Sequence, residues 1–451
     1  MGAPPALRPY QSAMLEAGRR APLRDGHAAL LFQLATGGGK TRIGLDVALG
    51  HLARSPLNRV LWFAHRDELV EQPLGKLREY GASVADLRPG SDPIGDARFV
   101  VASVQTVLAR GLDILPRSTM VIFDEARHYC SGKEWAAIAL AVARDRHVIG
   151  LDATPKGDLT PLFQHCIAGP SVAALVGDGY LCPTVHIGPA APQKGLADEP
   201  LALYLRHVAP DRAIVFCRDV AHANAVTATF HAAGVRAACV EGKTGTKRRR
   251  EHLAAYQRGE LDVLVNVHCL CEGTDLPSTV GIIVARMVGD EENWIQMGGR
   301  GSRTSPGKRA CKLLDPYGQT WELGLMEEAR PWAIDGRGLP SRAGLLPPCV
   351  TCPNCHALGP PLAVCKGCGR MTPPRPPPRV TKAEMKIIRQ DRLAKEGADW
   401  DRWCALVREG RQKGWKPQAA GWRFMQEFGR PPKWRADQVP PLPGDGQRRT
   451  G

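Results

Sequence analysis

Five short apolar runs recur along residues 28–153, and most of them do not alternate with polar residues. They read "AALLFQLA", "RVLWFA", "RFVVAS", "TMVIFD" and "HVIGLDA". Strands that are apolar on both faces are typical of a parallel sheet with helices packed on each side. Stretches with helical periodicity, such as "KTRIGLDVALGHLA", separate the runs. The chain is therefore predicted to fold as an α/β protein built on a parallel sheet.

The same rhythm occurs a second time along the chain. It weakens at "GPAAPQKGLADEP", residues 188–200, and resumes with "RAIVFC", "VRAACVE", "LDVLVNV", "TVGIIVAR" and "ACKLLD". A chain of 451 residues is long enough for several domains. We predict two α/β lobes of similar size, at residues 1–187 and 200–335.

Four smaller regions are predicted after the second lobe. A cysteine cluster follows the linker "GLPSRAGLLPP" and predicts a zinc ribbon at 345–371. The stiff segment "TPPRPPPR" comes next. A basic helical segment is expected at 380–437, and a disordered tail at 438–451.

A glycine-rich loop follows the first apolar run and precedes a helical stretch. It reads "LATGGGKT", residues 34–41, and contains three successive glycines, Gly37, Gly38 and Gly39. Such glycines let backbone N–H groups curl around phosphate oxygens at a helix N-terminus. Lys40 would reach the β- and γ-phosphates of ATP, and the Thr41 hydroxyl would bind Mg²⁺. The strict pattern has glycine where this chain has Leu34, so a glycine-rich turn with an incidental Lys-Thr is the alternative.

An acidic pair, Asp124 and Glu125, stands at the end of the run "TMVIFD". In a phosphate-loop ATPase the first carboxylate binds Mg²⁺ and the second polarises the attacking water. Taken alone, the pair is weak evidence, because most such pairs face water. Together with the loop at residues 34–41 it predicts an ATP- and Mg²⁺-binding site.

Further motifs occur in a fixed order along the chain. They are "LRPYQ", "FAHRDELVEQ", "VASVQT", "LDATP", "VFCR", "EGTDLP" and "QMGGRGSR". This order resembles superfamily 2 helicases of the DEAD/DEAH-box type, and most closely the RadD-like and phage-encoded group related to the helicase part of type I restriction enzymes. The resemblance covers roughly residues 6–320 and implies two RecA-like lobes with ATP in the crevice between them.

The resemblance also implies roles for single residues. Gln11 in "LRPYQ" would read the adenine, and Gly273 and Asp275 in "EGTDLP" would belong to the nucleotide site. In the last motif Gln296, Arg300 and Arg303 match Q-x-x-G-R-x-x-R. A guanidinium aimed at the γ-phosphate stabilises the charge that develops in the transition state. The alternative for this motif is a basic loop that touches nucleic acid.

Two residues differ from the family's motifs, and their side chains carry opposite charges. Arg127 stands where the family has His or Asp, and Asp152 stands where it has Ser or Thr. We predict that the two residues form an ion pair and that the departures affect coupling to nucleic acid rather than hydrolysis. A binding protein with an impaired ATP site is the alternative.

Four cysteines in two C-x-x-C pairs, nine residues apart, predict a structural Zn²⁺ site. The predicted ligands are Cys352, Cys355, Cys365 and Cys368. Cys349 is the competing thiol, and scattered free cysteines are the alternative. Such a module contains few apolar residues, so it is expected to need the metal to fold.

A formal net charge of +15 favours a polyanionic partner, nucleic acid before membrane, although a genome that prefers arginine would give the same bias. The resemblance favours DNA over RNA. No run of about 18 apolar residues occurs, and the scattered cysteines suit a reducing cytoplasm of a bacterial or phage-infected cell.

Two basic regions have open interpretations. The run "KTGTKRRRE", 243–251, is expected to be a solvated helix start, with phosphate contact as the minor alternative. Trp400, Trp403, Leu406 and Val407 have helical spacing and suit either a small core or stacking on unpaired bases.

The motifs together predict a nucleic-acid-dependent ATPase and helicase that translocates on or unwinds DNA. The alternative within enzymes is a duplex translocase or RNA remodeller that separates no DNA strands.

Overall fold

Two parallel sheets form the framework of the protein in a computed structural model. The structure describes residues 4–335, apart from 190, 191, 272, 329 and 331. It also describes short stretches at 350–351, 358–359, 386–387, 399, 401–410, 412–413, 419–428 and 432. The chain divides into two compact units, Met1–Lys386 and Ile387–Gly451.

The first sheet has seven strands: β1 (Ala29–Gln33), β2 (Val60–Ala64), β3 (Val84–Leu87), β4 (Phe99–Ser103), β5 (Met120–Asp124), β6 (His147–Asp152) and β7 (His165–Ala168). Their order is β3-β4-β2-β5-β6-β1-β7, and neighbouring strands are parallel. The helices are α1 (Pro9–Arg20), α2 (Lys40–Arg54), α3 (Asp67–Glu79), α4 (Val104–Arg110), α5 (Lys133–Ala143) and α6 (Val172–Gly177). Two 3₁₀ turns lie at Leu112–Ile114 and Ala126–Tyr129.

Apolar side chains cover both faces of this sheet, which explains why its central strands are unalternating apolar runs. Phe32 and Trp62 belong to one buried cluster, and Leu31 and Phe63 to another. Helix α2 packs closely on the sheet at Gly44, where a Cβ would lie 2.7 Å from the Trp62 ring. The helix that follows the glycine-rich loop at residues 34–41, the predicted phosphate loop, is therefore fixed against the core.

The second sheet contains β8 (Thr184–Gly188), β9 (Arg212–Cys217), β10 (Ala237–Val240), β11 (Val263–Asn266), β12 (Thr279–Ala285) and β13 (Cys311–Leu314). These strands are parallel in the order β10-β11-β9-β12-β13-β8. Its helices are α7 (Pro200–His207), α8 (Val220–Ala232), α9 (Thr246–Arg258), α10 (Glu291–Gly298) and α11 (Thr320–Leu323). The prediction of two parallel-sheet α/β lobes is confirmed.

The boundary between the lobes differs from the predicted one. Strand β8 pairs with β13, so the second sheet begins at Thr184 and the predicted boundary at residue 187 lies inside a strand. Strands β3 and β7 were not predicted, because their residues are mostly only half-buried and give no continuous apolar run.

Polar contacts join helix α3 of the first lobe to the second lobe. Arg249 and Arg250 on α9 form ion pairs with Glu68 and Glu71, both at 2.9 Å. The Gln72 side chain donates a hydrogen bond to the Gly273 carbonyl at 2.6 Å. The basic run at 243–251 is thus only in part a solvated helix start, since two of its arginines bind carboxylates of the other lobe.

The described residues beyond 335 are few. Strands β14 (Val350–Thr351) and β15 (Leu358–Gly359) form an antiparallel pair, and β16 spans Lys386–Ile387. The second unit contains helical residues 401–410 and the helix Ala419–Phe428. Trp403, Leu406 and Val407 are buried there with Phe424, which supports the core interpretation for these residues.

Several predictions fall outside the described residues. They are the cysteines of the zinc site, Trp400 and the tail at 438–451. Within the part of the chain that the structure describes, no helix is long and apolar enough to cross a membrane.

Candidate active site

A cavity of about 850 Å³ lies between the two lobes. First-lobe residues that line it include Thr36, Gly37, Gly39, Lys40, Thr41, Asp124 and Glu125. Second-lobe residues that line it include Gly273, Asp275, Arg300 and Arg303. Motifs that lie far apart in the sequence therefore meet in one cleft of a size suited to a small ligand.

The phosphate loop has the backbone that its glycines permit. Gly37 and Gly39 adopt positive φ angles of 84° and 92°, a conformation that favours glycine. At Gly38 a Cβ would lie 2.7 Å from Leu34, which is fully buried in the apolar cluster beneath the loop. Leu34 thus takes the place of the usual glycine by packing under the loop. Helix α2 begins at Lys40, so its N-terminus faces the cavity.

The acidic pair lies at the carboxyl end of β5, beside the loop. Lys40 Nζ is 3.2 Å from the Glu125 Oε1 atom. Glu125 has a positive φ of 52°, an uncommon conformation for a residue other than glycine, and both carboxylates are buried. The chain turns sharply there, and both carboxylates line the cavity.

Asp124 has the electrostatics of a cation ligand. Burial, followed by the neighbouring Glu125 carboxylate, raises the pKa of Asp124 to about 7. A divalent cation would offset the cost of keeping this buried carboxylate charged. Asp124 and the nearby Thr41 hydroxyl are oxygen donors of the kind that Mg²⁺ prefers, so the residues fit the predicted ion.

The second lobe presents its motif to the same cavity. Arg300 and Arg303 each donate a hydrogen bond to the Thr274 carbonyl at 2.7 Å, and Arg303 pairs with Asp275 at 3.0 Å. Gln296 is buried, and its Oε1 atom accepts a hydrogen bond from the Thr36 hydroxyl of the phosphate loop at 3.2 Å. Among the described residues, the Gln296 Nε2 atom has no hydrogen-bond partner. Gln296 itself is not among the residues that line the cavity.

The Gln11 amide braces the loop in this structure. Its Oε1 atom accepts a hydrogen bond from the Arg8 backbone at 3.0 Å, and its Nε2 atom donates to the Gly38 carbonyl at 3.3 Å. The Arg8 guanidinium lies 4.9 Å from the centre of the Tyr180 ring, and both residues line the cavity. Tyr180 was missed because its segment matches no motif.

Arg127 and Asp152 form the ion pair that their opposite charges predict. The Arg127 Nη1 atom is 3.0 Å from Asp152 Oδ1, and the Arg127 backbone N–H donates to Oδ2 at 2.8 Å. Arg127 also contacts Glu125 in the same lobe and Glu292 on helix α10 of the other lobe. These two further contacts were not predicted.

Two family models match the chain in the regions of the two lobes. A model described as type III restriction enzyme, res subunit, matches residues 5–157. The helicase conserved C-terminal domain matches residues 198–305. The chain has the fold of superfamily 2 helicases. The two matched regions correspond to its two lobes, with the cleft between them.

Named helicases are among the curated relatives. The putative ATP-dependent helicase IRC3 of Saccharomyces cerevisiae is 25% identical over 70% of this chain and 52% of its own length. The putative mitochondrial ATP-dependent helicase irc3 of Schizosaccharomyces pombe is 28% identical over 68% of this chain and 57% of its own length. A 51.5 kDa protein of a Lactococcus phage is 23% identical, with 73% and 75% covered. The chain spans about half the length of the two yeast relatives.

Solved structures share the fold at low identity. A fragment of a putative HsdR subunit of a type I restriction enzyme from Vibrio vulnificus aligns with a TM-score of 0.54 and 20% identity, over 73% of this chain and 66% of that one. The helicase MrfA bound to DNA aligns with a TM-score of 0.54 and 16% identity, over 68% and 48%. At this identity the likeness concerns the fold alone.

Proposed function

We propose that this chain is a nucleic-acid-dependent ATPase that couples ATP hydrolysis to translocation on, or unwinding of, DNA. The observation that carries this proposal is the single cavity shared by Lys40 and Glu125 of one lobe and by Arg300 and Arg303 of the other. Phosphoryl transfer needs cations around the phosphates and a group that accepts a proton from water. All of these groups line one cleft.

Each side chain has a distinct task in hydrolysis. Lys40 and the N–H groups of the glycine loop bind the phosphates, while Arg300 and Arg303 stabilise charge that develops on the γ-phosphate. Glu125 accepts the proton of the attacking water. Mg²⁺, held by Asp124 and Thr41, would neutralise phosphate charge when bound. Gln11 contacts the loop rather than an open space, so its proposed part in reading adenine requires a shift of its amide.

The two lobes are expected to move relative to each other during the ATPase cycle, because each contributes part of the site. ATP that contacts both lobes favours the closed cleft, and hydrolysis removes the contact to the γ-phosphate. Repeated closing and opening on a strand is a translocation stroke. We further propose that the Arg127–Asp152 pair serves this coupling, because it links the turn that follows the acidic pair to the carboxyl end of β6.

A second cavity, of about 490 Å³, supports a nucleic-acid path across both lobes. Arg66 at the start of α3, Gln105 and Arg110 line it from the first lobe, and Arg249 lines it from the second. Cationic and amide side chains are the usual partners of phosphate oxygens. DNA is proposed over RNA because a type I restriction endonuclease subunit and UvrABC system proteins are among the relatives.

ATP turnover with single-stranded DNA, duplex DNA and RNA tests the proposed function. We expect single-stranded DNA to stimulate turnover most, with a steep loss of stimulation as salt rises, because phosphate contacts release counterions. If duplex DNA stimulates turnover most, the protein is a duplex translocase. If RNA stimulates it most, the protein is an RNA remodeller. ATP binding without turnover under any condition would contradict the proposal.

We also propose a zinc ribbon after the second lobe. In the sequence, Cys352 and Cys355 lie between the antiparallel strands β14 and β15, and two C-x-x-C pairs are the ligand spacing of a tetrahedral zinc site. Four thiolates leave no open position on the metal, so its role would be structural.

Freshly purified protein is therefore expected to contain one Zn²⁺ per chain, measured by elemental analysis. Cys365→Ser should lose the metal, because three thiolates bind Zn²⁺ less tightly than four. Cys404→Ser, at a buried cysteine of the second unit, is the matched control and should keep it. Metal-free wild-type protein would contradict the site. If Cys349→Ser loses the metal and Cys352→Ser keeps it, Cys349 is the zinc ligand in place of Cys352.

A further inference from the structure

The Arg127 guanidinium contacts carboxylates from both lobes. Its Nη1 atom donates to Glu125 Oε2 and to Asp152 Oδ1, and its Nε atom donates to Glu292 Oε1. The first two carboxylates belong to the first lobe, and Glu292 belongs to the second. The Arg127 side chain is only 5% exposed, so these contacts are shielded from water.

Glu292 lies in the first turn of helix α10, which also reaches the phosphate loop. The last turn of this helix carries Gln296, which contacts Thr36 at 3.2 Å. One helix of eight residues therefore contacts the loop at one end and the arginine beside the water-activating carboxylate at the other. Because a short helix moves as one body, both contacts form together when the cleft closes.

The geometry of a guanidinium gives Glu292 a specific effect. The group is planar, and its N–H donors point in fixed directions. Glu125 and Asp152 hold the Nη1 side, while Glu292 holds the Nε side. Anchors on two sides fix the plane, whereas loss of the Nε anchor would leave a buried donor unsatisfied and free the plane to turn. Glu125 would then lose a partner of fixed orientation.

We propose that Glu292 is a positioning residue, which orients Arg127, and through it the Glu125 carboxylate, only while the lobes are closed. Closure of the cleft then affects the rate of the chemical step of hydrolysis as well as the affinity for ATP. This inference rests on the proposed ATPase function and assigns a residue outside the shared motifs to it. Glu292 also lies 3.9 Å from Lys156. That lysine is half exposed, so an effect through it is expected to be small.

The test is steady-state ATP turnover of Glu292→Ala at saturating single-stranded DNA. We expect kcat to fall by about tenfold, a part of the roughly 10²–10⁴ that a general base contributes, with little change in KM for ATP. Glu292→Gln keeps an oxygen acceptor for Arg127 and should recover most of the loss. If Glu292→Ala does not fold, Glu292→Asp is used instead. Its side chain is one methylene shorter, so its carboxylate lies farther from Arg127 Nε, and we expect the same fall in kcat.

Glu291→Ala is the matched control. Glu291 precedes Glu292 on the same turn of α10. Its Oε1 atom is 2.6 Å from the Nε atom of Arg330, a residue that follows strand β13 in the chain. Glu291→Ala should keep wild-type turnover.

A double variant tests whether Glu292 acts through Arg127. Arg127→Ala/Glu292→Ala should be no slower than Arg127→Ala alone. The inference is overturned if the two losses multiply, if Glu291→Ala is as slow as Glu292→Ala, or if the loss appears in KM alone. Absence of stimulated turnover in the wild-type protein would instead overturn the proposed function, on which the inference depends.

Discussion

Lys40→Ala is expected to reduce ATP turnover to background while the protein remains folded. Lys40 begins helix α2, lines the cavity and contacts Glu125 at 3.2 Å, and its side chain adds little to the apolar core. Removal of one hydrogen-bond donor that stabilises transition-state charge costs about 10²–10³-fold in rate, and here the donor is also a cation. Steady-state turnover with and without single-stranded DNA measures the loss.

Lys133→Ala is the control for that variant, because Lys133 is exposed at the start of α5. Thermal unfolding of both variants should match the wild type. Turnover of Lys40→Ala at the wild-type rate, in a preparation free of other ATPases, would show that the assigned site is wrong.

Glu125→Gln is expected to stop hydrolysis and leave ATP binding intact. The amide keeps the shape of the side chain but cannot accept the proton of the attacking water, and a general base contributes about 10²–10⁴-fold to rate. Basal and DNA-stimulated turnover should fall alike, because the same group serves both. Affinity for ATP should be equal or higher, since Lys40 no longer has a carboxylate as a competing partner.

Single-turnover hydrolysis and titration with a fluorescent ATP analogue separate the two effects. Glu134→Gln, an exposed glutamate on α5, is the matched control and should behave as wild type. If Glu125→Gln hydrolysed ATP normally but failed to bind it, Glu125 would be a binding group and another residue would have to activate water.

The apolar runs predicted the central strands because those strands are buried on both faces. Strands β3 and β7 were missed because a half-buried strand admits polar residues such as Asp86 and His165. The Arg127–Asp152 pair could be predicted, because strands β5 and β6 are adjacent, Arg127 lies in the turn after β5 and Asp152 is the last residue of β6.

Contacts between distant segments could not be predicted from local pattern. Glu292 is 165 positions from Arg127, and no spacing rule relates the two. A basic run such as that around Arg249 is typical of a solvated helix, and only the fold places the acidic residues of α3 against it. The same holds for Gln11, whose amide has two backbone partners that become visible only once the loop is placed.

The fully buried members of each of the four large apolar clusters come from one lobe, and the partly buried Ile334 packs on a first-lobe cluster from the end of the second lobe. The described contacts between the lobes are mainly ion pairs and hydrogen bonds, as between Arg249 and Glu68. Separation of the lobes thus exposes little apolar surface and carries a small heat-capacity change, whereas unfolding of either lobe carries a large one. The balance between open and closed cleft would then respond weakly to temperature and strongly to ionic strength and to charged ligands.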